Sequence, residues 1–374
     1  MRDAQHLDKL GIRNFRGLSC IDLDDLGAFN VLLGANDVGK TSILEAVFLL
    51  SGFPNLELLI RIQNLRNYLV QDAYALSPVF FNMDVDRQVT LRARSADGSE
   101  REIVISAPYQ TYEGEIQQPE GVADGNATDL GTNKISVAHS SSSVRSGSHR
   151  LRYDSSFRSA ETEQPSVFSG ELAVRNGSFS PPRIPDNLVG SLLSTRYFHA
   201  NSTYEGSVIG DVIVNKKTEE LLEYLRIINP RVKGVAVKGE VAYLDIGLEK
   251  MMPLNMFGSG MVRAATILSY CILDNVRILL IDEVENGLHY QAIPPLLAAL
   301  LEMAGQGRIQ IIATTHSLGV LESLRQVLSQ SQYSENRGTT NCYSLQKDQR
   351  GLVRTYMYEY DQFEHCIAQE IEIR

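Results

Sequence analysis

Residues 34–41 read Gly34-Ala35-Asn36-Asp37-Val38-Gly39-Lys40-Thr41, with Ser42 next. Glycines at both ends of such a loop let the main chain wrap closely around a phosphate, with its N–H groups turned inward. In the order G-x-x-x-x-G-K-T, the lysine bridges the β- and γ-phosphates and the threonine hydroxyl ligates Mg²⁺. Gly34, Asn36, Gly39, Lys40, Thr41 and Ser42 are therefore expected to hold ATP. Further along, the apolar run Ile278-Leu279-Leu280-Ile281 leads straight into Asp282-Glu283. A carboxylate there can complete the Mg²⁺ shell, and a second can orient or deprotonate an attacking water. Asp282 is expected in the first role and Glu283 in the second. Ile311-Ile312-Ala313-Thr314-Thr315 then ends in His316, placed to reach the γ-phosphate.

These residues need a scaffold, and the apolar pattern supplies one. Val31-Leu32-Leu33 is a short buried strand stopped by Gly34, and Ile43, Leu44, Val47, Phe48 and Leu50 recur at helical spacing up to Ser51-Gly52. Residues 7–33 read as strands with a turn. Residues 56–76 read as a helix with the stripe Leu56, Leu59, Ile62, Leu65 and Leu69. Val89, Leu91 and Ala93, the turn at Asp97-Gly98-Ser99, and Ile103-Val104-Ile105 predict a β-hairpin. Beyond residue 190, helices at 217–228, 261–273, 288–304 and 318–328 alternate with buried strands at 277–281 and 309–313, and a strand pair spans 235–246. That alternation implies an α/β fold, a parallel sheet with helices on its faces. The acid-tipped and His-tipped strands then end at the edge where such sheets place ligands.

Phe257-Gly258-Ser259-Gly260-Met261-Val262-Arg263 opens a helix ahead of the acid-tipped strand. In this it resembles ABC-class ATPases, whose signature sequence stands there and closes over ATP bound to the partner protomer. GSGMVR is closer to the variant of OLD-like and RecF-like proteins than to LSGGQ. Ile12-Arg13-Asn14-Phe15-Arg16-Gly17 looks like the I-x-N-F-R opening strand of the OLD-like, RecF and SMC group. The resemblance implies a P-loop NTPase with an ABC-type head whose mixed or parallel sheet is flanked by helices. It implies that Ser259, Gly258 and Gly260 contact the γ-phosphate in trans, that Asn14 and Arg16 approach the base or phosphates, and that Glu285-Asn286-Gly287-Leu288-His289 meets the partner. The loop between the lobes falls near Phe80-Phe81-Asn82. The closing segment, Tyr358 to Arg374, resembles the end of stand-alone members of the group, with no fused TOPRIM nuclease. The implied partners are a second copy or a larger homo-oligomer and a separate effector, TOPRIM-like or another nuclease, in anti-phage defence. The alternative is a RecF- or SMC-like repair ATPase that binds nucleic acid directly.

The head is expected in two parts, residues 1–107 with the phosphate loop and 187–374 with the signature turn, acids and His316. Between them, 108–186 is Ser-, Gly-, Thr- and Asn-rich and is expected to be an irregular or strand-containing insertion. Within it Arg145, His149, Arg150, Arg152 and Arg158 could meet nucleic acid. The chain of 374 residues has a net charge of −10, which argues against a general basic coat. No apolar run reaches the ~18 residues of a membrane span. The four cysteines fit no metal spacing, and the N-terminus lacks a signal core, so a cytoplasmic protein with no membrane partner is expected.

Overall fold

The computed structural model describes residues 6–70, 73–107, 150–162, 164–175, 178–179, 182–200, 206–273 and 276–369. Three strands open the chain: β1 (Leu7–Phe15), β2 (Leu18–Leu23) and β3 (Phe29–Leu33). Helices α1 (Lys40–Ser51) and α2 (Glu57–Leu65) follow, then β4 (Val89–Ser95), β5 (Glu100–Ser106), β6 (Arg150–Arg158), β7 (Ser166–Arg175) and β8 (Ser178–Phe179). The second half comprises α3 (Asp186–Val189), β9 (Thr195–Phe198), α4 (Gly206–Val214), α5 (Thr218–Ile228), β10 (Gly234–Lys238), β11 (Val241–Asp245) and β12 (Met252–Pro253). It continues with α6 (Ser259–Ile272), β13 (Ile278–Ile281), α7 (Ile293–Gly305), β14 (Gln310–Thr315), α8 (Leu318–Leu328), α9 (Ser334–Arg337), β15 (Thr340–Lys347), β16 (Val353–Tyr358) and α10 (Tyr360–Ala368).

Two large sheets carry the head. One runs β2-β1-β4-β5-β6-β7-β8 and is antiparallel throughout. The other runs β16-β15-β3-β14-β13-β9. It is parallel except for the edge strand β16. A small sheet, β10-β11-β12, stands apart from both.

β13 shows why the second sheet reads as unbroken apolar runs. Side chains alternate between faces along a strand. Ile278 and Leu280 join the core that includes α1 and the antiparallel sheet, whereas Leu279 and Ile281 join the core with α4 to α8. A strand buried on both faces has no polar positions to show. Helix α1 is clamped between the two sheets, and every residue in it except Thr41 is buried. A helix enclosed on all sides keeps polar residues only where they have partners.

The helix expected over 56–76 stops at Leu65. Arg66 leaves helical geometry and Asn67 takes φ 57°. The Tyr68 N–H turns back to the Gln63 carbonyl, closing the helix although its apolar stripe continues to Leu69. Within the stretch expected as an insertion, β6 and β7 pair onto β5 and extend the antiparallel sheet. Arg145 and His149 lie outside the described residues, as does the segment 370–374. Arg152 pairs with Asp154, and Arg158 with Glu100. Among the described residues, no helix is long and apolar enough to cross a membrane.

Candidate nucleotide site

The parallel register brings three strand ends together. Leu33 pairs with Thr315, and Ile281 with Ala313, so β14 lies between the strand that feeds the glycine loop and the strand that feeds Asp282. Gly34, Asp282 and His316 thus leave the sheet at one edge.

The glycine loop is packed as well as turned. Gly34 has φ 145°, and a Cβ there would sit 2.5 Å from the Leu345 carbonyl oxygen. Gly39 has φ 98°, and a Cβ would meet Leu18 at 2.5 Å. Neither position accepts a side chain, so the loop backbone stays close to whatever it cradles. Helix α1 begins at Lys40, directing its N-terminal N–H groups and dipole at the loop. The Lys40 ammonium donates to the Gly34 and Ala35 carbonyls at 2.7 and 2.8 Å. Burial lowers its pKa, opposed by the negative charge of Asp282, Glu283 and Glu285.

Asp282 is a convergence point. Thr41 Oγ1 donates to its carboxylate, 3.1 and 3.0 Å from the two oxygens, and Thr314 Oγ1 donates at 2.7 Å. The Thr314 hydroxyl also accepts from the Glu283 N–H at 2.8 Å. Glu283 has φ 51°, a left-handed backbone that costs a side-chain-bearing residue roughly 1–3 kcal/mol. The Arg263 guanidinium, from α6, donates to the carbonyls of both Asp282 and Glu283 and pins that turn. Glu285 accepts from Thr315 Oγ1 at 2.8 Å and from the His316 N–H at 3.2 Å, and its Oε1 lies 3.3 Å from His316 Nδ1.

A cavity of about 600 Å³ opens at this edge, lined by Asn36, Gly39, Lys40, Thr41, Ser42, Asp282, Glu283, Arg16 and Arg66 among others. Phe80 and Asn82 also line it, from the segment expected between the lobes. Not every expected residue lies there. Asn14 donates its side chain to the Gln88 carbonyl at 3.1 Å, outside the lining. Gly258, Ser259 and Gly260 are also outside it. Gly258, at φ 89°, caps α6, and Ser259 Oγ lies 3.3 Å from the Gly287 carbonyl. His316 stands on Glu285 beside the cavity rather than in its wall.

Three further residues matter, and none announces itself in the sequence. Thr314 stands in the polar cap that leads to His316, Glu45 lies among the apolar residues of a helix, and Arg66 falls inside the stretch expected as one long helix. Only the residue pair Thr314-Thr315 at the end of a buried strand hints at a polar task, because buried hydroxyls require partners.

A hydroxyl and a carboxylate in contact, beside a buried lysine at a helix N-terminus, are a hard-oxygen donor set suited to Mg²⁺ and a triphosphate. Fold and site together define a P-loop nucleoside triphosphatase head. Residues 29–322 match the family described as "AAA domain, putative AbiEii toxin, Type IV TA system", and the chain belongs to that family. It is an ATPase of this AAA class. It is similar to the ATP/GTP phosphatase of Helicobacter pylori, 23% identical over 94% of this chain and 96% of the relative. A segment covering 12% of each chain is 53% identical to the DNA replication and repair protein RecF of Nitrosococcus oceani. Among solved structures, an SMC head bound to the C-winged helix domain of ScpA aligns with TM-score 0.49 and 9% identity, covering 95% of this chain and 98% of the other. The SMC head domain of Thermotoga maritima aligns with TM-score 0.44 and 13% identity, covering 95% and 99%.

Proposed function

We propose that this ATPase hydrolyses ATP between two copies of itself and uses the cycle to control a separate, nuclease-type effector in defence against phage. The observation that carries the reading is the split site. Lys40, Thr41, Asp282 and Glu283 share one cavity, while the Gly258-Ser259-Gly260 turn of the same chain packs on Gly287, outside it. A signature turn unable to serve its own cavity is free to cap that of a second copy.

In this mechanism Gly34, Asn36, Gly39 and Ser42 wrap the phosphates, and Lys40 moves from its own loop carbonyls to the β- and γ-oxygens. Thr41 and Asp282 hold Mg²⁺, which neutralises charge on the phosphate oxygens when bound. Glu283, fixed through Thr314 and Arg263, orients the water and takes its proton. His316 follows the γ-phosphate from its seat on Glu285. Ser259 donates to the γ-phosphate across the interface, with Gly258 and Gly260 allowing close approach. Asn14, held on the Gln88 carbonyl, shapes the turn that presents Arg16 to the cavity. Closed and open pairs then differ in affinity for the effector, and that difference is the switch. Membership of a family described by a putative AbiEii toxin and a type IV TA system supports a defence setting.

The RecF-like segment supports a second reading, a repair ATPase that binds nucleic acid directly. Purification of Glu283→Gln with ATP and Mg²⁺, followed by native mass measurement, tests both. A dimer or larger assembly carrying a nuclease-like chain supports the first reading. A homo-oligomer holding nucleic acid alone supports the second. A monomer unchanged by ATP removes the paired site.

A further inference from the structure

We infer that Arg66 is a phosphate ligand of the bound nucleotide, held in position by the buried carboxylate of Glu45. The inference rests on reading the cavity as a nucleotide site and adds a cation from outside the glycine loop. Glu45 lies one helical turn beyond Thr41 on α1 and is fully buried. Its carboxylate takes a two-pronged pair from Arg66, Nε to Oε1 at 2.7 Å and Nη2 to Oε2 at 3.1 Å. Arg16 Nε stands 2.5 Å from the same Oε2.

Charge counting gives this cluster its meaning. One carboxylate faces two guanidiniums, and guanidinium stays protonated in proteins. Glu45 balances one of them, so the cluster carries one net positive charge; Arg16 is the enclosed member, its side chain 8% exposed and its Nη2 donating to Gln63 Oε1 at 2.8 Å. Gln63 is itself tied to the Ala75 carbonyl. Both arginines line the cavity, and Arg66, its side chain 36% exposed, is the one open enough to offer that surplus charge to a ligand. A guanidinium has five N–H donors, so the two given to Glu45 leave others for an anion. Two-pronged pairing fixes the plane of the guanidinium, so an incoming phosphate meets a charge already aimed.

The chain delivers Arg66 there by ending α2. The residue stands just past Leu65, and Asn67, at φ 57°, turns the backbone away. Had the helix continued along its apolar stripe to Leu69, this geometry would be lost.

The test is equilibrium binding of ATP, ADP and adenosine to wild type, Arg66→Ala and Lys40→Ala. Arg66→Ala leaves the Arg16–Glu45 contact but removes two hydrogen bonds from a buried carboxylate, so its melting temperature should fall, and binding is measured at a temperature where circular dichroism shows every variant folded. Its affinity for ATP and ADP should fall about tenfold or more, the scale of a charge-assisted phosphate contact, with adenosine binding unchanged. Glu45→Gln should weaken ATP similarly, and combining it with Arg66→Ala should add little, since both remove one contact. Wild-type ATP affinity in Arg66→Ala, or an equal loss for adenosine, overturns the inference. If Lys40→Ala loses ATP in that same experiment, the nucleotide site itself stands. A wild-type protein that binds no ATP overturns the nucleotide reading instead.

Discussion

Thr41 and Asp282 are 241 positions apart in the chain, yet the Thr41 hydroxyl lies 3.1 and 3.0 Å from the two oxygens of the Asp282 carboxylate. The contact joins the helix that follows the glycine loop to the strand that ends in two acids.

Lys40→Ala should abolish ATP binding, because the residue supplies the cation at the mouth of the loop and donates to the Gly34 and Ala35 carbonyls. Fluorescent-nucleotide titration measures this directly. An affinity equal to wild type would remove the loop from phosphate binding.

Ser259→Arg should bind ATP normally but fail to turn it over, since its own cavity is untouched and only a partner's cavity is obstructed. Mixing Ser259→Arg with Lys40→Ala should restore turnover. One of the two sites in the mixed pair then has an intact loop facing an intact Ser259. A mixture as inactive as either parent argues that the signature turn does not act in trans.

Thr314→Val should cost about 1–3 kcal/mol of stability. It removes a buried hydroxyl that donates to Asp282 Oδ1 and accepts from the Glu283 N–H. With the Glu283 turn released, turnover should fall more than ATP affinity does. Chemical denaturation and steady-state phosphate release separate the two effects. An unchanged turnover number would mean that Arg263 alone holds the turn.

His199 links stability to pH. Burial lowers its pKa from 6.5, and the nearby Asp282 and Glu45 charges oppose that shift. Between the lowered folded value and 6.5 the unfolded chain binds a proton that the folded chain does not. This contribution is therefore full above pH 6.5 and is lost as pH falls toward the folded value. Melting temperature should drop on acidification, and His199→Asn should flatten that drop. Parallel curves for the two proteins would show that other groups set the acid limb.

The sequence by itself determined the phosphate loop, the acid-tipped strand and the alternation of strands and helices around them. These are local signals: glycine spacing, an apolar run ending in acids, a change of period from two to 3.6. It also located α8 at 318–328 and the hairpin of β4 and β5. The tertiary structure decided the partners. Glu45 sits on a helix whose sequence shows an apolar stripe, but the antiparallel sheet covers the opposite side and encloses the carboxylate, so it must find arginines. Arg66 reaches that carboxylate only because α2 stops where its apolar stripe would carry it on. β9 and β15 took their places beside β13 and β3 by long-range pairing. Strand neighbours are chosen by contacts distant in sequence, and the energy of a buried charge depends on what the whole fold brings within hydrogen-bond reach.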